Sequence, residues 1–600
     1  MICNEACGIF ESAQTGYGGF SCAMPAGAIL RADGRWFRFA APLQVVTAMQ
    51  PDEVIPALQA IEAAVNRERC YAVGFITYEA AAAYGLAVHA PMPDLPLLWF
   101  GLHEKAGEAF EFTYCTPPSA AYSVGSWRPA ISRTTHETVV GRVRDYLARG
   151  HTYQINYTFP LHADFAGEPL AWFTDLAAAQ ATEYAAFIDT GRFAICSISP
   201  ELFCQLDGER LTAKPMKGTA ARGRTRVEDE ACIAELRQSD KNRAENLMIV
   251  DMLRNDLGRI ARVGSVTVPQ LFEVERYPTL LQMTSTVAAR TPVSVAEILA
   301  SLFPCASITG APKVRSMEII RELEPRPRGV YTGAIGLIGP QRQARFSVAI
   351  RTALIDRAQG QASYGVGSGL VWDSDAGDEY AECLLKARVL TERRPAFQLL
   401  ETLLWEPEGG YFLPAAHLAR LVDSAVYFGV PLDRSAIETC LTERASSWKE
   451  AGKIRLLVDL DGTFAVEATP LAREAVSRPM RVGLADKPVD SGTIWLYHKT
   501  THRALYDAAR ASRPDCDEVI LWNERGELTE AGTANLALDV GGEWVTPPVT
   551  SGLLAGTFRN WLLATGQIRE RILTITDLHL ARRIALLNSV RKWREAVLIG

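Results

Sequence analysis

The sequence predicts a mixed α/β protein of three or more units. The chain has 600 residues, more than one hydrophobic core usually supports, because domains typically contain about 100–200 residues. Strand-like and helix-like patterns alternate up to about residue 395, where a charged, proline-containing phrase at residues 392–396 ends a helical run. The residues that follow begin with a new strand-like phrase and have a second set of motifs.

A weaker junction is predicted near residues 114–119, where the chain is rich in proline and serine. The expected division is therefore an amino-terminal subregion (1–118), a central domain (119–395) and a carboxy-terminal domain (396–600).

Composition excludes several classes of function. The net charge is −7, with acidic and basic residues interspersed, so neither nucleic acid nor an anionic membrane surface is an expected partner. No apolar stretch approaches the roughly 18 residues of a membrane span, and the amino terminus has no basic region followed by an apolar core. The 12 cysteines form no C-x-x-C pair, which predicts reduced thiols in a cytoplasmic protein.

The most informative phrase is Pro215-Met216-Lys217-Gly218-Thr219, which follows a strand-like run at residues 209–213. Gly218 gives the backbone freedom to present Lys217 from a loop into a pocket. Taken alone, a Lys-Gly pair is more often an exposed turn. Two further phrases change that balance: Ser199-Pro200-Glu201 before it, and residues 308–313 (ITGAPK) downstream.

In this order the phrases resemble the chorismate-utilising enzymes, a family that contains anthranilate, aminodeoxychorismate and isochorismate synthases. Lysine at the third place of the pentapeptide is similar to aminodeoxychorismate synthase component I, whereas anthranilate synthases carry alanine there. The resemblance implies a layered α/β domain with two large sheets packed face to face. It also implies that Lys217 adds covalently to the substrate ring, while Glu201 protonates the departing hydroxyl.

Magnesium is an expected cofactor of this half, because chorismate has two carboxylates and Mg²⁺ prefers oxygen ligands. Residues 377–390 read as a helix with Glu379, Glu382 and Lys386 on one face, and residues 239–248 read as a second helix that includes Glu245. A Glu-x-x-Glu pair is usually a solvated helix face. By resemblance, Glu245 and Glu382 bind the metal and Glu379 acts through water.

The resemblance also assigns substrate contacts. Arg351 matches an arginine that holds a carboxylate, a role suited to a planar guanidinium, and Tyr331 matches a tyrosine that lines the pocket. The glycine-rich phrase at residues 365–370 lacks dinucleotide-binding spacing, but backbone N–H groups of such a turn can hold a carboxylate. The full set of predicted substrate-binding residues is Tyr331, Arg351, Gly369, Lys386 and Thr309.

Two glutamines separate this chain from relatives. Gln154 stands where isochorismate and salicylate synthases place a water-activating lysine, which argues against water as the nucleophile. Gln282 stands where many relatives have histidine, and no catalytic role is assigned to it. No glutaminase motif accompanies the synthase motifs, so a separate glutamine amidotransferase subunit, or free ammonia, is expected.

Residues 397–600 resemble class IV aminotransferase-like enzymes, which bind pyridoxal 5′-phosphate (PLP) between two small α/β subdomains. Lys499, at the end of a strand-like run, matches the cofactor lysine, and Glu530 matches the carboxylate that pairs with the pyridine nitrogen. Arg420 and the phrase that contains Thr557 and Phe558 match phosphate-binding positions. Arg420 alone would more often be a solvated helix residue.

Within class IV, the phrases at 498–501 and 588–591 look most like aminodeoxychorismate lyases, although Lys592 replaces a usual glycine. The implied sequence converts chorismate and ammonia to 4-amino-4-deoxychorismate, and then to 4-aminobenzoate and pyruvate for folate biosynthesis. Three alternatives stay open: an anthranilate-forming first half, a non-catalytic first half, and a D- or branched-chain aminotransferase activity in the second. A homodimer formed through the carboxy-terminal domain is also expected.

Overall fold

The structure is a computed structural model that describes residues 27–110, 121–180, 182–391, 395–471 and 478–599. The predicted junction near residue 118 and residues 392–394 of the predicted boundary lie outside these ranges. The chain divides into two compact units, Met1–Ala221 with Ile233–Arg394, and Arg222–Cys232 with Pro395–Gly600. Nothing in the sequence pattern indicated that Arg222–Cys232 belongs to the second unit.

The first unit contains two large sheets. In the described part of the chain one sheet has 11 strands, in the order Gly310–Ala311, Gln154–Gly167, Gln361–Leu370, Thr352–Asp356, Phe193–Ser199, Tyr184–Asp189, Ala28–Ala32, Arg35–Phe39 and Glu108–Phe110, with Tyr122–Val124 and Arg128–Pro129 beside Gln154–Gly167. The other has 10, in the order Met216–Ala221, Leu280–Arg290, Arg210–Lys214, Leu202–Asp207, Gln343–Val348, Ala334–Gly339, Tyr71–Ile76, Leu98–His103 and Gln44–Ala48, with Thr267–Arg276 beside Leu280–Arg290.

Apolar residues of both sheets share one core, which includes Phe37 and Ile195 from one sheet and Phe75 and Leu337 from the other. The outer face of each sheet packs on helices in a core of its own. This arrangement confirms the predicted layered α/β fold with two large sheets. The helices, including short 3₁₀ segments, are Pro51–Glu68, Tyr78–Tyr84, Arg133–Ala148, Pro169–Gln180, Asp240–Gly258, Val295–Leu302, Ala306–Ile308, Lys313–Leu323, Ala376–Ala387 and Arg388–Leu390.

Strands from the first 110 residues belong to both sheets. Ala28–Ala32 pairs with Tyr184–Asp189, and Tyr71–Ile76 pairs with Ala334–Gly339. The residues before the predicted junction therefore share both sheets with the central domain. Sequence patterns did not indicate this, because the paired strands are distant from one another in the sequence.

The second unit contains two smaller sheets. A four-stranded antiparallel sheet has the order Gly410–Tyr411, Leu399–Glu406, Gly452–Val458 and Phe464–Pro470. An eight-stranded mixed sheet has the order Leu528–Ala531, Glu518–Trp522, Met480–Leu484, Lys592–Leu598, Arg583–Asn588, Ala534–Val540, Glu543–Thr546 and Arg569–Glu570. The accompanying helices are Pro414–Phe428, Arg434–Ala445, Ile494–Leu496, Ala504–Ser512, Val549–Ser551, Thr557–Ala564 and Ile575–Leu580. A further helix, Arg226–Gln238, begins within the segment Arg222–Cys232.

Three local predictions change in the structure. Lys217 lies on the strand Met216–Ala221 and not in a loop, because the residues around it pair with Leu280–Arg290. The glycine-rich phrase at residues 365–370 is also part of a strand, paired residue by residue with Gln154–Gly167, and is not a turn. The residues before Lys499 form a short 3₁₀ helix, Ile494–Leu496, and not a strand. Where the described helices are concerned, none is long and apolar enough to cross a membrane.

Candidate active sites

Lys217 is held at an irregularity in its strand. The pairing with the neighbouring strand shifts register between Met216 and Thr219. Gly218 has a φ of +95°, a conformation that residues other than glycine rarely adopt. Gln282 Nε2 donates a hydrogen bond to the Gly218 carbonyl at 2.9 Å, and Asn246 Nδ2 donates to the Lys217 carbonyl at 3.2 Å. No catalytic role was predicted for Gln282, and in the structure its side chain supports the backbone at Gly218, next to Lys217.

Lys217 is half-buried in the first unit. Burial lowers its pKa, as does the positive charge of Lys386, although Glu245 and Glu201 oppose the shift. A β-carbon added to Gly369 would lie 2.9 Å from Lys217 Nζ. The glycine therefore leaves space beside the amine, which explains its place in an otherwise ordinary strand. A neutral lysine in such a space can act as a nucleophile.

Glu201 is 2% exposed, and burial raises its pKa to about 7. Ser307 Oγ donates a hydrogen bond to Glu201 Oε1 at 2.6 Å, which stabilises the carboxylate and limits that rise. The nearby Lys217 acts in the same direction. A carboxyl group with this pKa exchanges protons readily near neutral pH, as a general acid must. Ser307 was not identified from the sequence, because serine in a short helical turn has no distinctive pattern.

The three predicted metal ligands lie on the two predicted helices, Asp240–Gly258 and Ala376–Ala387. Burial raises the pKa of Glu245, and the negative charges of Glu379 and Glu382 contribute to that rise, so both of these carboxylates lie near Glu245. Glu382 also forms an ion pair with Lys386 at 2.7 Å. In the described ranges, no group of three or more His, Cys, Asp and Glu side chains is arranged to hold a metal ion. The carboxylates suit Mg²⁺ when substrate oxygens and water complete the coordination.

Unpartnered polar atoms occur among the predicted substrate contacts. Among the described residues, Nη1 of Arg351 and both polar atoms of the Gln154 side-chain amide are buried without a hydrogen-bond partner. A β-carbon added to Gly369 would lie 2.4 Å from Gln154 Nε2, so this amide adjoins the space beside Lys217. Buried polar atoms are usually satisfied, and a bound anion would satisfy the guanidinium of Arg351.

The remaining predicted substrate residues occupy supporting positions. Lys386 Nζ donates to the Gly367 carbonyl at 2.9 Å. The Thr309 hydroxyl donates to backbone carbonyls of the preceding turn, including that of Cys305 at 3.2 Å. The ring of Tyr331 lies against Gly365, where an added β-carbon would come within 2.1 Å of it. Position 365 must therefore be glycine for the Tyr331 ring to pack where it does.

The second site is a cavity of about 450 Å³ in the second unit. Its lining contains every cofactor-binding residue predicted from the sequence, namely Arg420, Lys499, Glu530, Thr557 and Phe558. Burial lowers the pKa of Lys499 to about 8, and the positive charge of Arg420 adds to the effect. A lysine with this pKa has a substantial neutral population near pH 7–8, which condensation with a carbonyl group requires.

Glu530 lies on a buried strand, Leu528–Ala531, and is 4% exposed. Burial raises its pKa to about 7, while hydrogen bonds from Tyr506 Oη at 2.7 Å and from the Leu554 N–H at 3.2 Å favour the carboxylate. Asn535 Nδ2 donates a third bond at 3.2 Å. Glu530 was predicted from the sequence, but Tyr506 and Asn535, whose side chains orient it, were not.

The predicted phosphate-binding residues meet at one end of this cavity. Thr557 begins the helix Thr557–Ala564, and its hydroxyl lies within hydrogen-bond distance of Ser589 Oγ and 3.2 Å from His417 Nε2. Helix N-termini favour anions. Phe558 is 6% exposed and packs in a small apolar core, so its side chain supports the helix.

Arg420 is paired with a residue that the sequence analysis missed, Glu401. Two guanidinium nitrogens of Arg420 donate to the Glu401 carboxylate at 2.9 and 2.7 Å, and His417 Nδ1 lies 2.7 Å from it. Burial by itself would raise the pKa of Glu401, but Arg420 and His417 outweigh it and hold the pKa at about 2. The sequence feature that could have indicated Glu401 is a single carboxylate within an apolar, strand-like phrase, LLETLL at residues 399–404.

Comparisons with known proteins agree with the division into two units. The chorismate binding enzyme family matches residues 9–392, and the class IV aminotransferase family matches residues 398–599. Aminodeoxychorismate synthase component 1 of Escherichia coli is 39% identical over 269 residues, which are 44% of this chain and 59% of that protein. An anthranilate synthase component 1 of Haloarcula marismortui is 32% identical over 390 residues, covering 56% of this chain and 77% of that protein.

The fold of the first unit also has a solved counterpart. Anthranilate synthase component I of Streptococcus pneumoniae superposes with a TM-score of 0.50 at 24% identity, over 65% of this chain and 96% of that one. The matched region spans only 30% to 59% of the length of the aminodeoxychorismate synthases that the chain resembles. Because one family matches most of its length, the chain belongs to the chorismate binding enzymes, and a class IV aminotransferase region follows in the same chain.

Proposed function

We propose that the chain converts chorismate and ammonia to 4-amino-4-deoxychorismate in its first unit, and that intermediate to 4-aminobenzoate and pyruvate in its second. The observation that carries the proposal is the half-buried Lys217, whose amine lies beside the space left by Gly369 and near the carboxyl group of Glu201. An alanine at this position, as anthranilate synthases have, would provide no nucleophile.

Lys217 would act first in the synthase reaction. Its neutral amine forms a bond to ring C2, the ring double bonds shift, and the 4-hydroxyl leaves as water with a proton from Glu201. The lysine nitrogen then loses its extra proton to the Glu201 carboxylate. Ammonia next forms a bond to C4, the double bonds shift back, and the bond from C2 to the lysine nitrogen breaks as Glu201 returns the proton to that nitrogen, so Lys217 leaves as a neutral amine. The new C4 ammonium group gives a proton to Glu201, which restores the acid. Arg351 would hold a substrate carboxylate with its unpartnered Nη1.

Glu245 and Glu382 would hold the Mg²⁺, with Glu379 acting through water. The ion would neutralise substrate carboxylate charge when bound. The ion pair between Lys386 and Glu382 would then have to rearrange, because one carboxylate oxygen already accepts from that ammonium group.

In the second unit, Lys499 would hold PLP and move the proton from C4 of the substrate ring. PLP supplies an electron sink when bound. Glu530, oriented by Tyr506 and Asn535, would face the pyridine nitrogen, and Thr557, Ser589 and Arg420 would surround the phosphate. The buried pair between Arg420 and Glu401 fixes the arginine in place.

Two assemblies belong to the proposal. A separate glutaminase subunit would supply ammonia, as the name "component 1" of the bacterial relatives suggests. A homodimer through residues 397–600 would be the oligomeric state. Sedimentation of the full chain tests the second point, and a monomer at all concentrations would refute it.

The deciding experiment incubates the protein with chorismate, Mg²⁺, ammonium and PLP, and identifies the aromatic product by mass spectrometry and chromatography. The proposal requires 4-aminobenzoate and an equal amount of pyruvate. Anthranilate as the product would show that the first unit aminates C2, and absence of any aromatic amine would refute the proposal.

A further inference from the structure

The segment Arg222–Cys232 of the second unit packs against the helix Pro414–Phe428, mainly at Tyr427. The Tyr427 hydroxyl donates to the Gly223 carbonyl at 2.8 Å, and Arg222 Nη2 donates to the Tyr427 carbonyl at 2.8 Å. The Arg222 guanidinium also lies over the Tyr427 ring, 4.3 Å from its centre. Residues 222–224 are therefore fixed to this helix by main-chain and side-chain contacts.

The same segment is locked internally. Asp229 accepts hydrogen bonds from Arg222 Nε at 2.8 Å and from the Gly223 N–H at 2.9 Å. The side chain of Arg222 is only 8% exposed and that of Asp229 only 2%. A β-carbon added to Gly223 would lie 2.4 Å from the Asp229 nitrogen, so this turn has no room for a side chain. Arg224 completes the anchor, because its Nη1 donates to the Tyr497 hydroxyl at 2.7 Å.

The segment reaches His498, the residue before Lys499. His498 Nε2 lies 3.1 Å from the Arg224 carbonyl oxygen, and Nδ1 lies 2.9 Å from Ser424 Oγ. A carbonyl only accepts, so Nε2 donates to it and Nδ1 of the neutral ring accepts from Ser424. Burial lowers the pKa of His498 to about 4, which keeps the ring neutral.

The ring of His498 is also enclosed by aromatic side chains. Its centre is 4.3 Å from that of Tyr427 and 4.8 Å from that of Phe428. The Lys499 carbonyl accepts from the Leu400 N–H at 2.9 Å. The main chain at residues 498 and 499 is thus fixed on one side by a strand and on the other through the histidine ring.

We propose that Arg222–Arg224 is a positioning element of the Lys499 site, which sets the direction of the Lys499 side chain through the hydrogen bond between the Arg224 carbonyl and His498. The role assigned to Lys499 rests on the proposed function, but the orientation of its amine does not. A variant without this hydrogen bond still contains Lys499, but the Lys499 side chain no longer has a fixed direction in the cavity.

The test uses the full chain and measures the Lys499 amine directly. The protein is stripped of PLP and treated with limiting acetic anhydride, and the rate of Lys499 acetylation is followed by peptide mass spectrometry. PLP affinity is measured separately by equilibrium dialysis. The variants are Gly223→Ala, which displaces the turn, Tyr427→Phe, which removes only the hydroxyl bond to Gly223, and His498→Leu.

Loss of one such hydrogen bond is expected to change the acetylation rate of Lys499 about fivefold, and to weaken PLP binding by a similar factor. His498→Gln keeps an N–H donor for the Arg224 carbonyl and is expected to restore much of the parental rate. The matched control is Arg226→Gln, which removes exposed ion pairs with Glu230 and with Asp423 of the helix Pro414–Phe428 and leaves the turn at residues 222–224 intact. This control is expected to behave as the parent.

Parental acetylation and PLP affinity in folded Gly223→Ala and His498→Leu proteins would overturn the inference. If Gly223→Ala fails to fold by circular dichroism, the comparison of Tyr427→Phe with Arg226→Gln decides it, and equal rates in those two proteins would overturn it. A parent protein that binds no PLP would refute the proposed lyase function alone, because the acetylation rates are measured without the cofactor.

Discussion

Ser307 donates a hydrogen bond of 2.6 Å to Glu201, a buried carboxyl group of the first unit. Burial raises the Glu201 pKa and this bond lowers it, so the value of about 7 is a balance between the two effects. The balance matters for catalysis because a general acid must be protonated to act, and it can be altered by one hydroxyl group.

The Ser307→Ala variant is expected to raise the Glu201 pKa further, because the carboxylate loses its donor. The alkaline limb of the profile of kcat/KM against pH should then move to higher pH, where Glu201 stays protonated longer. Formation of aminodeoxychorismate at constant free ammonia is the measurement. Ser307→Thr keeps the hydroxyl and should preserve the parental limb. If the alkaline limb does not move in Ser307→Ala, then a group other than Glu201 determines it.

Lys217→Ala is expected to reduce formation of 4-amino-4-deoxychorismate by several orders of magnitude, because the nucleophile is gone while Gln282 and Asn246 still hold the backbone. Products are identified by mass spectrometry, which separates the 4-amino compound from anthranilate. Lys105→Ala, at an exposed position of the same unit, is the control. Undiminished 4-amino product from Lys217→Ala would rule out the covalent step.

Lys499→Ala should separate the two reactions. The lyase step is expected to fall by about a hundredfold or more, since the base that moves the C4 proton is missing. Consumption of chorismate should continue, so 4-amino-4-deoxychorismate accumulates. Chromatography of the reaction against time tests this, with the exposed Lys487→Ala as the control. Release of 4-aminobenzoate at the parental rate would place the lyase reaction elsewhere.

The Glu401 carboxylate should make the second unit sensitive to acid. Its folded pKa of about 2 is below the unfolded value of about 4.3, so its stabilisation is complete above about pH 5 and is lost as the pH falls towards 2. The difference corresponds to about 3 kcal/mol at most. The protection factor, which is the intrinsic exchange rate divided by the observed rate at the same pH, should therefore fall in that interval for peptides from residues 399–458.

Glu401→Gln is expected to accelerate the same exchange already at pH 7, because Arg420 and His417 lose their buried anion. Glu406→Gln removes a half-exposed pair with Lys592 from the same strand and should change little. Equal exchange in the two variants would show that the buried pair contributes no more than a surface pair.

The sequence by itself predicted the reactive residues proposed for both sites and the order of the two units. Motif residues such as Lys217, Glu201, Lys499 and Glu530 were recognisable because each lies in a short phrase whose neighbours serve the same site. The helices that contain Glu245 and Glu382 were also predicted correctly, since helix periodicity is local.

Only the tertiary structure decided what supports those residues. Ser307 meets Glu201 across 106 positions of the chain, and the Arg224 carbonyl meets His498 across 274. Such contacts arise when distant strands and helices pack, and a serine or a backbone carbonyl has no pattern that marks it beforehand. The strand around Lys217 was predicted to be a loop, because Gly218 is typical of loops. Only its pairing with the distant strand Leu280–Arg290 makes this segment a strand. Local sequence specifies reactive groups, while long-range packing sets their pKa values and orientation.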